Sequence, residues 1–218
     1  MKLKHLLPLL LSAVLSAQAY ALTEGEDYLV LDKPIPQEQS GKIEVLEFFG
    51  YFCVHCHHFD PLLLKLGKAL PSDAYLRTEH VVWQPEMLGL ARMAAAVNLS
   101  GLKYQANPAV FKAVYEQKIR LENRAVAGKW ALSQKQFDGK KLMRAYDSPE
   151  AAAAALAAAL KMQKLTEQYG IDSTPTVIVG GKYRVIFNNG FDGGVHTIKE
   201  LVAKVREERK RQTPAVQK

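Results

Sequence analysis

The 218-residue chain contains two cysteines, and they stand together in Cys53-Val54-His55-Cys56. A run of β-formers, Ile43 to Phe49, leads into the pair, and a helical pattern follows it. A thiol at the start of a helix faces unpaired backbone N–H groups and the positive end of the helix dipole, both of which favour thiolate over thiol. Cys53 fits that position. Cys56 lies one turn later on the same face, so its sulfur can reach Cys53 and close a small disulfide ring. This layout suits thiol–disulfide exchange.

Other readings of the pair compete with that one. A purely structural disulfide across two intervening residues closes a loop too short to constrain much of the unfolded chain. A zinc site needs about four ligands, and only His57 and His58 adjoin the pair, which crowds the ligands onto one short segment. The run Cys53-Val54-His55-Cys56-His57 also matches the C-x-x-C-H pattern of c-type haem attachment. The flank favours the dithiol, because a long apolar strand runs into the motif as in a βαβ unit. A haem-binding electron-transfer protein is the alternative from a different class, and a visible absorption spectrum separates the two.

The first 21 residues have the layout of an export signal. Lys2 and Lys4 form a positive n-region, Leu6 to Ala17 a short apolar core, and Ala19-Tyr20-Ala21 a small-x-small cleavage site. The core falls short of the roughly 20 residues a membrane span requires. Cleavage after Ala21 is expected, which places the mature protein in an oxidising compartment where a dithiol can serve as an oxidant. The formal charge of +7 and pI near 9.3 come without any aromatic-plus-basic motif or zinc-finger spacing, so nucleic acid is not an expected partner.

The remaining chain alternates in character. Tyr28 to Leu31 reads as a short strand stopped by Pro34 and Pro36. Ile43 to Phe49 reads as a buried central strand interrupted by Glu47, a carboxyl whose place near the thiols suggests proton handling. Phe59, Leu62, Leu63, Leu66 and Leu70 form a helical stripe, in which Pro61 should produce a kink. Tyr75 to Trp83 reads as a second central strand, parallel to the first. From residue 84 to 160 the pattern is helical throughout, with Asn107-Pro108 and Ser148-Pro149 read as N-terminal caps, and the helix from Ala151 stops at Gly170. Thr176 to Val179 and Lys182 to Phe187 read as a hairpin across a two-residue Gly180-Gly181 turn. Ile198, Leu201, Val202 and Val205 mark a last amphipathic helix, and the basic stretch from Arg206 reads as a frayed end. The expected fold is α/β: an interrupted sheet domain, residues 22–83 and 161–218, around an all-helical insertion, residues 84–160.

The strand into Phe52-Cys53-Val54-His55-Cys56, the proline eight residues after the first cysteine, the helical insertion and Ser173-Thr174-Pro175-Thr176 together resemble the thioredoxin superfamily. Within it they resemble the DsbA family of periplasmic thiol:disulfide oxidoreductases, over nearly all of the mature chain. The resemblance implies a thioredoxin-like fold, with Cys53 as exposed nucleophile and Cys56 as buried resolving thiol. It implies that Thr174-Pro175 is a cis-proline loop that binds substrate and that Glu47 is the buried acid. His55, between the cysteines, can donate to the Cys53 thiolate or stand charged beside it. It implies too that the protein oxidises cysteine pairs in unfolded exported proteins bearing free thiols, and that a quinone-linked inner-membrane partner re-oxidises it. A soluble periplasmic monomer with no cofactor and no metal is expected. A disulfide isomerase or reductase is the nearest alternative, although the stretch from Leu22 to Cys53 is too short for the N-terminal dimerisation region of the isomerases. Two departures stand out. Val54 occupies the place of the family's usual proline. The lysine that often accompanies the buried acid on the next strand has no counterpart in Arg77-Thr78-Glu79, so a relay through Glu47 is expected to use water alone.

Overall fold

The computed structural model of the protein describes residues 22–212; the expected export signal and its cleavage site lie outside them. Five strands form one sheet: β1 (Tyr28–Val30), β2 (Ile43–Phe49), β3 (Ala74–His80), β4 (Thr176–Val179) and β5 (Tyr183–Val185), in the order β1-β5-β4-β2-β3. The sequence expectation of parallel pairing holds for β2 and β3, with Glu47 opposite Thr78. The other pairings are antiparallel. β2 lies between β4 and β3 and is buried at every position, which explains its almost unbroken apolar run.

β3 is an edge strand, not the second central strand that its sequence suggested, and it ends at His80. Helix α2 (Leu88–Leu99) and helix α6 (Pro149–Tyr169) stand beside it, and with β3 they line a cleft of about 560 Å³. Two of its outward carbonyls are occupied by side chains, Leu76 O by Lys103 Nζ at 3.5 Å and Thr78 O by Asn98 Nδ2 at 3.1 Å. A bare edge would invite pairing with another chain.

Helix α1 (Val54–Ala69) continues through Pro61. With α7 (Gly190–Gln212) it covers one face of the sheet, where Phe59, Leu63 and Leu66 meet Val45, Val177, Val179, Ile198 and Leu201. On the other face Leu46, Phe48 and Ile178 pack against Met162 and Leu165 of α6. The helical insertion adds α3 (Lys103–Phe111), a π-turn over Lys112–Glu116, α4 (Arg124–Ser133) and α5 (Gly139–Tyr146). Its core of Met93, Val97, Val110, Leu142 and Tyr146 is continuous with Phe49, Tyr51 and Cys56. The insertion therefore supplies the wall behind the second cysteine.

Several boundaries differ from the sequence reading. Helix α6 begins as expected, with Ser148 Oγ accepting from Ala151 N at 3.1 Å, and ends at Gly170 with φ 63°. It runs unbroken to Tyr169, so the expected limit of the insertion at residue 160 falls inside it. Asn107-Pro108 is not a cap. Both residues lie within α3, because the Asn107 side chain is spent on Tyr51 and Asp60 rather than on its own backbone. The hairpin turn has three residues, with Val179 opposite Tyr183. Gly181, at φ 71°, has no room for a Cβ, which would lie 2.2 Å from Ile35 O. The stretch from Arg206 to Gln212 is helical rather than frayed, held in part by Arg206 on Asp73.

Strand β2 carries a second buried carboxyl that the sequence reading passed over. Glu44 lies on the α6 face and is gripped by Arg77, with Nε–Oε2 at 2.9 Å and Nη2–Oε1 at 3.1 Å, and by the Tyr75 hydroxyl. Arg77 also bonds Glu79, which Lys161 of α6 reaches at 2.5 Å. Replacing Arg77 with Met leaves a buried carboxylate without its counter-ion, and a loss of about 3–5 kcal/mol in urea unfolding is expected. The double variant Glu44→Leu, Arg77→Met should recover most of it.

Candidate active site

The turn between β2 and α1 is fixed from both sides. Gly50 O accepts from Cys53 N at 2.9 Å. Tyr51 is fully buried, and its amide donates to His80 Nε2 at 3.1 Å while its hydroxyl donates to Asn107 Oδ1 at 2.6 Å. Burial pulls His80 down to about 4. The ring is therefore neutral at ordinary pH, with its proton on Nδ1, which donates to Val81 O at 2.7 Å. Phe49, Tyr51, Phe111 and His80 pack ring on ring around this turn. Such packing holds the start of α1 in place.

Cys53 is the N-cap of α1, and its sulfur accepts from Cys56 N at 3.2 Å. Both cysteines are free thiols, Cys53 half-buried and Cys56 buried. Their proton affinities are pushed far apart. Cys53 is lowered to about 5, first by a hydrogen bond from the Cys56 thiol, against an opposing effect of burial, then by a side-chain bond from Thr174 and by the Cys56 and His55 amides. Cys56 is driven strongly upward, first by burial and then by donating to Cys53, with Glu47 adding to the effect. One sulfur carries charge and its neighbour keeps a proton.

Thr174 faces Cys53 across the site, and the Thr174–Pro175 bond is cis. Thr174 acts in both directions, since its side chain favours the thiolate while its carbonyl accepts from the neutral thiol at 3.3 Å. Beside it opens a shallow pocket of about 320 Å³ lined by His55, Thr174, Pro175, Phe187, Gly190 and Phe191. Phe187 packs edge-to-face on Phe191 and on Phe59, and the Phe191 ring lies tilted against Phe59. Strand β5 stops at Val185, which leaves Phe187 beyond the sheet as part of this wall.

Behind Cys56 lies a cluster of ionisable groups. Glu47 on β2 is buried, and burial followed by the nearby Asp60 raises it well above the usual carboxylate range. Asp60 on α1 is pushed up to about 6 by burial. Its Oδ1 accepts from Asn107 Nδ2 at 2.6 Å, while Oδ2 is buried and has no hydrogen-bond partner among the described residues. Lys103 acts on both carboxyls from α3. Sequence reasoning found Glu47 but missed Asp60 and Lys103. Asp60 sits at the edge of an apolar stripe, where it reads as a solvated position. Lys103 is remote in sequence from everything it serves.

The family model described as Thioredoxin matches residues 38–201. The chain is 32% identical over 185 residues to the thiol:disulfide interchange protein DsbA of Pseudomonas aeruginosa, covering 83% of this chain and 82% of that protein. To the DsbA of Burkholderia cepacia it is 31% identical over 203 residues, covering 92% and 93%. The chain belongs to the DsbA family. Among solved structures, the oxidoreductase NmDsbA3 from Neisseria meningitidis is 96% identical, with a TM-score of 0.75 over 87% of this chain and 100% of that one. Reduced DsbA1 from the same organism is 55% identical, with a TM-score of 0.81 over 88% and 99%. The protein is thus a thiol:disulfide oxidoreductase with a thioredoxin-like fold and a helical insertion.

Two expectations about histidines change within this family frame. The side chain of His55 is exposed and lines the pocket, and its backbone amide is among the groups that lower Cys53. His57, which completes the C-x-x-C-H pattern, is engaged elsewhere. Its Nε2 lies 2.9 Å from Glu116 Oε1, and its ring stacks on Phe111. Membership of a thiol:disulfide interchange family takes the place of the haem reading.

The lowered Cys53 makes a prediction about stability. Unfolded, the thiol ionises at about 8.5; folded, it ionises at about 5. The stabilisation of the reduced form by its thiolate is therefore complete above about pH 8.5, shrinks as pH falls, and is gone below about pH 5. The oxidised form has no such ionisation. Urea unfolding of both forms should show the reduced protein gaining on the oxidised one between pH 5 and 8.5, and a difference that does not vary with pH would contradict the assignment.

Proposed function

We propose that the protein is an oxidase of cysteine pairs, in which Cys53 accepts the attack and Cys56 is the leaving sulfur. A substrate thiolate attacks Cys53 Sγ, the Cys53–Cys56 bond breaks, and Cys56 leaves with the electron pair. Glu47 passes its proton to the Cys56 thiolate. The second substrate thiolate then attacks the substrate sulfur of the mixed disulfide, releasing Cys53 as a thiolate and the substrate as a disulfide. The observation that carries this reading is the opposite displacement of two thiols one helical turn apart. A low-affinity Cys53 is a good leaving group in the last step, and a high-affinity Cys56 takes up the proton the first step requires.

The Thr174–Pro175 loop and the Phe187–Phe191 wall are read as the docking edge for an extended, apolar stretch of unfolded substrate. Export of the chain after cleavage near Ala21, a periplasmic location and a monomeric form complete the proposal. No helix among the described residues is long and apolar enough to cross a membrane. Turnover requires that an external oxidant restore the disulfide; a quinone-linked membrane protein, as the resemblance implies, is proposed for that step.

In a Cys56→Ser variant, the Cys53 thiolate should attack a disulfide-bonded substrate protein, releasing one of its sulfurs as a thiolate, and the resulting mixed disulfide should accumulate and be visible on non-reducing gels. Its absence from a folded variant would remove Cys53 from the nucleophilic role. Truncation of the aromatic wall tests the docking edge separately. In Phe191→Ala the KM for a reduced peptide should rise several-fold while exchange with glutathione is unchanged, because the small thiol does not need the wall. Equal losses with both would place Phe191 in the support of the fold instead.

A further inference from the structure

The helical insertion carries a charge imbalance that the thiol chemistry does not use. Between Arg124 and Tyr146 stand six of the chain's basic residues and one acid, Asp138. The acid is committed, because its side chain accepts from Lys141 N at the start of α5. Arg124 is committed as well, in a two-nitrogen contact with Asp147. The other five cations, Lys129, Lys135, Lys140, Lys141 and Arg144, are exposed, and none forms an ion pair among the described residues. Elsewhere cations find carboxylates, as Arg77, Lys161, Lys182 and Arg206 do.

The fold holds these five on one outer surface. Helix α4 buries Ala127, Trp130 and Ala131, and α5 buries Leu142, Met143 and Tyr146, all in the core that also takes Cys56. The opposite faces of both helices therefore look away from that core. The helices are tightly joined, since a Cβ at Gly139 would lie 1.9 Å from Ala131 O. In sequence between Lys129 and Lys135, Leu132 is 61% exposed, and an apolar side chain left in water forfeits the gain of burial. Neither cavity described above is lined by a residue of these helices, so the surface suits a broad partner rather than an inserted peptide or a small anion.

We propose that this face of α4 and α5 docks the protein on the surface of an anionic phospholipid bilayer, with the five cations at the headgroup phosphates and Leu132 at the boundary with the acyl chains. Long basic side chains around an apolar one form the pattern by which helices lie in a membrane interface. The attraction of an anionic surface adds up over every cation within a Debye length of it. An acidic polypeptide would answer the charges alone, whereas a bilayer answers the charges and the leucine together. No residue of α4 or α5 lines the pocket beside Thr174, so the docking face and the thiol site are separate. The binding itself is independent of the oxidase reading. Its consequence, that the enzyme is held at the membrane of the partner proposed to re-oxidise it, rests on that reading.

The test uses the chain from Leu22 onward, which holds every described element of the fold, so that the apolar stretch Leu6 to Ala17 does not itself bind lipid. It is sedimented with vesicles of phosphatidylcholine and with vesicles of an equal mixture of phosphatidylcholine and phosphatidylglycerol. Binding is expected to the anionic vesicles only, with release at about 1 M salt. Lys140→Gln combined with Lys141→Gln should weaken it roughly 25-fold, about five-fold for each cation. Leu132→Ser, which leaves the charge unchanged, should weaken it several-fold. Removing two exposed cations elsewhere, Lys164→Gln with Lys199→Gln, should change it little. Every variant should oxidise a soluble reduced peptide at the wild-type rate without vesicles, and a parallel loss there would place these residues in the support of the fold and overturn the proposal. Absence of binding to the anionic vesicles overturns it too, as does an equal loss in the Lys164, Lys199 variant, which would make net charge the cause. Retention on polyglutamate beads without vesicle binding also overturns it and assigns the face to an acidic polypeptide.

Discussion

A sulfur anion half-buried in a protein survives only where something answers its charge, and here the answer is the first turn of α1. The Cys56 amide bonds the Cys53 sulfur directly, the Cys56 thiol donates to it, and the His55 amide adds to both. These donors belong to the helix terminus, so they are available only while β2, the Gly50–Cys53 turn and α1 keep their relative placement. The buried ring cluster of Phe49, Tyr51, Phe111 and His80 therefore has an electrostatic consequence, because it holds the helix start in place. Loosening it would let the helix start drift and would return Cys53 towards an ordinary thiol.

The helical insertion has a matching effect on the other sulfur. Cys56 packs into the same apolar cluster as Met93, Val110 and Leu142, and the resulting loss of solvation is the largest cause of its raised proton affinity. A sheet with α1 and α7 alone would leave that side of the motif wet. The same insertion brings Asn107 to Tyr51 and Asp60 and Lys103 to the edge strand. Its contribution is a dry wall carrying a few fixed polar groups, which is the environment in which proton transfer between neighbouring groups can be directed.

What could be read from the residues was whatever is local. The strand–cysteine–helix unit, the Ser148-Pro149 start and Gly170 stop of α6, and the Thr174-Pro175 loop each declare themselves within a few positions. The errors came where a long-range contact overrides a local signal. Asn107-Pro108 has the composition of a cap, yet the Asn107 side chain bonds across to β2's exit and to α1. Tyr75 to Trp83 reads as a central strand from its place after a helix, yet β3 pairs only with β2, and its apolar end, Val81 to Trp83, lies beyond the strand. His55 drew attention by standing between the cysteines, but its ring points into the groove wall. The thiolate is stabilised by backbone groups that every sequence possesses and only a helix terminus aligns.

The two glutamates of β2 show how little the residue type alone decides. Glu44 and Glu47 share one strand, both are buried, and they face opposite sides of the sheet. Glu44 meets a guanidinium in fork geometry and a tyrosine hydroxyl, so its oxygens are committed and its charge is answered. It ties β2, β3 and the segment before β2 into one unit. Glu47 meets burial first and a second carboxyl next. Such an acid holds its proton loosely enough to give it to a leaving thiolate whose own affinity is higher still. A carboxyl with complete partners is a structural fastener; one raised by burial, three residues along the same strand and close to a high-affinity thiol, is suited to the proton donation proposed for it.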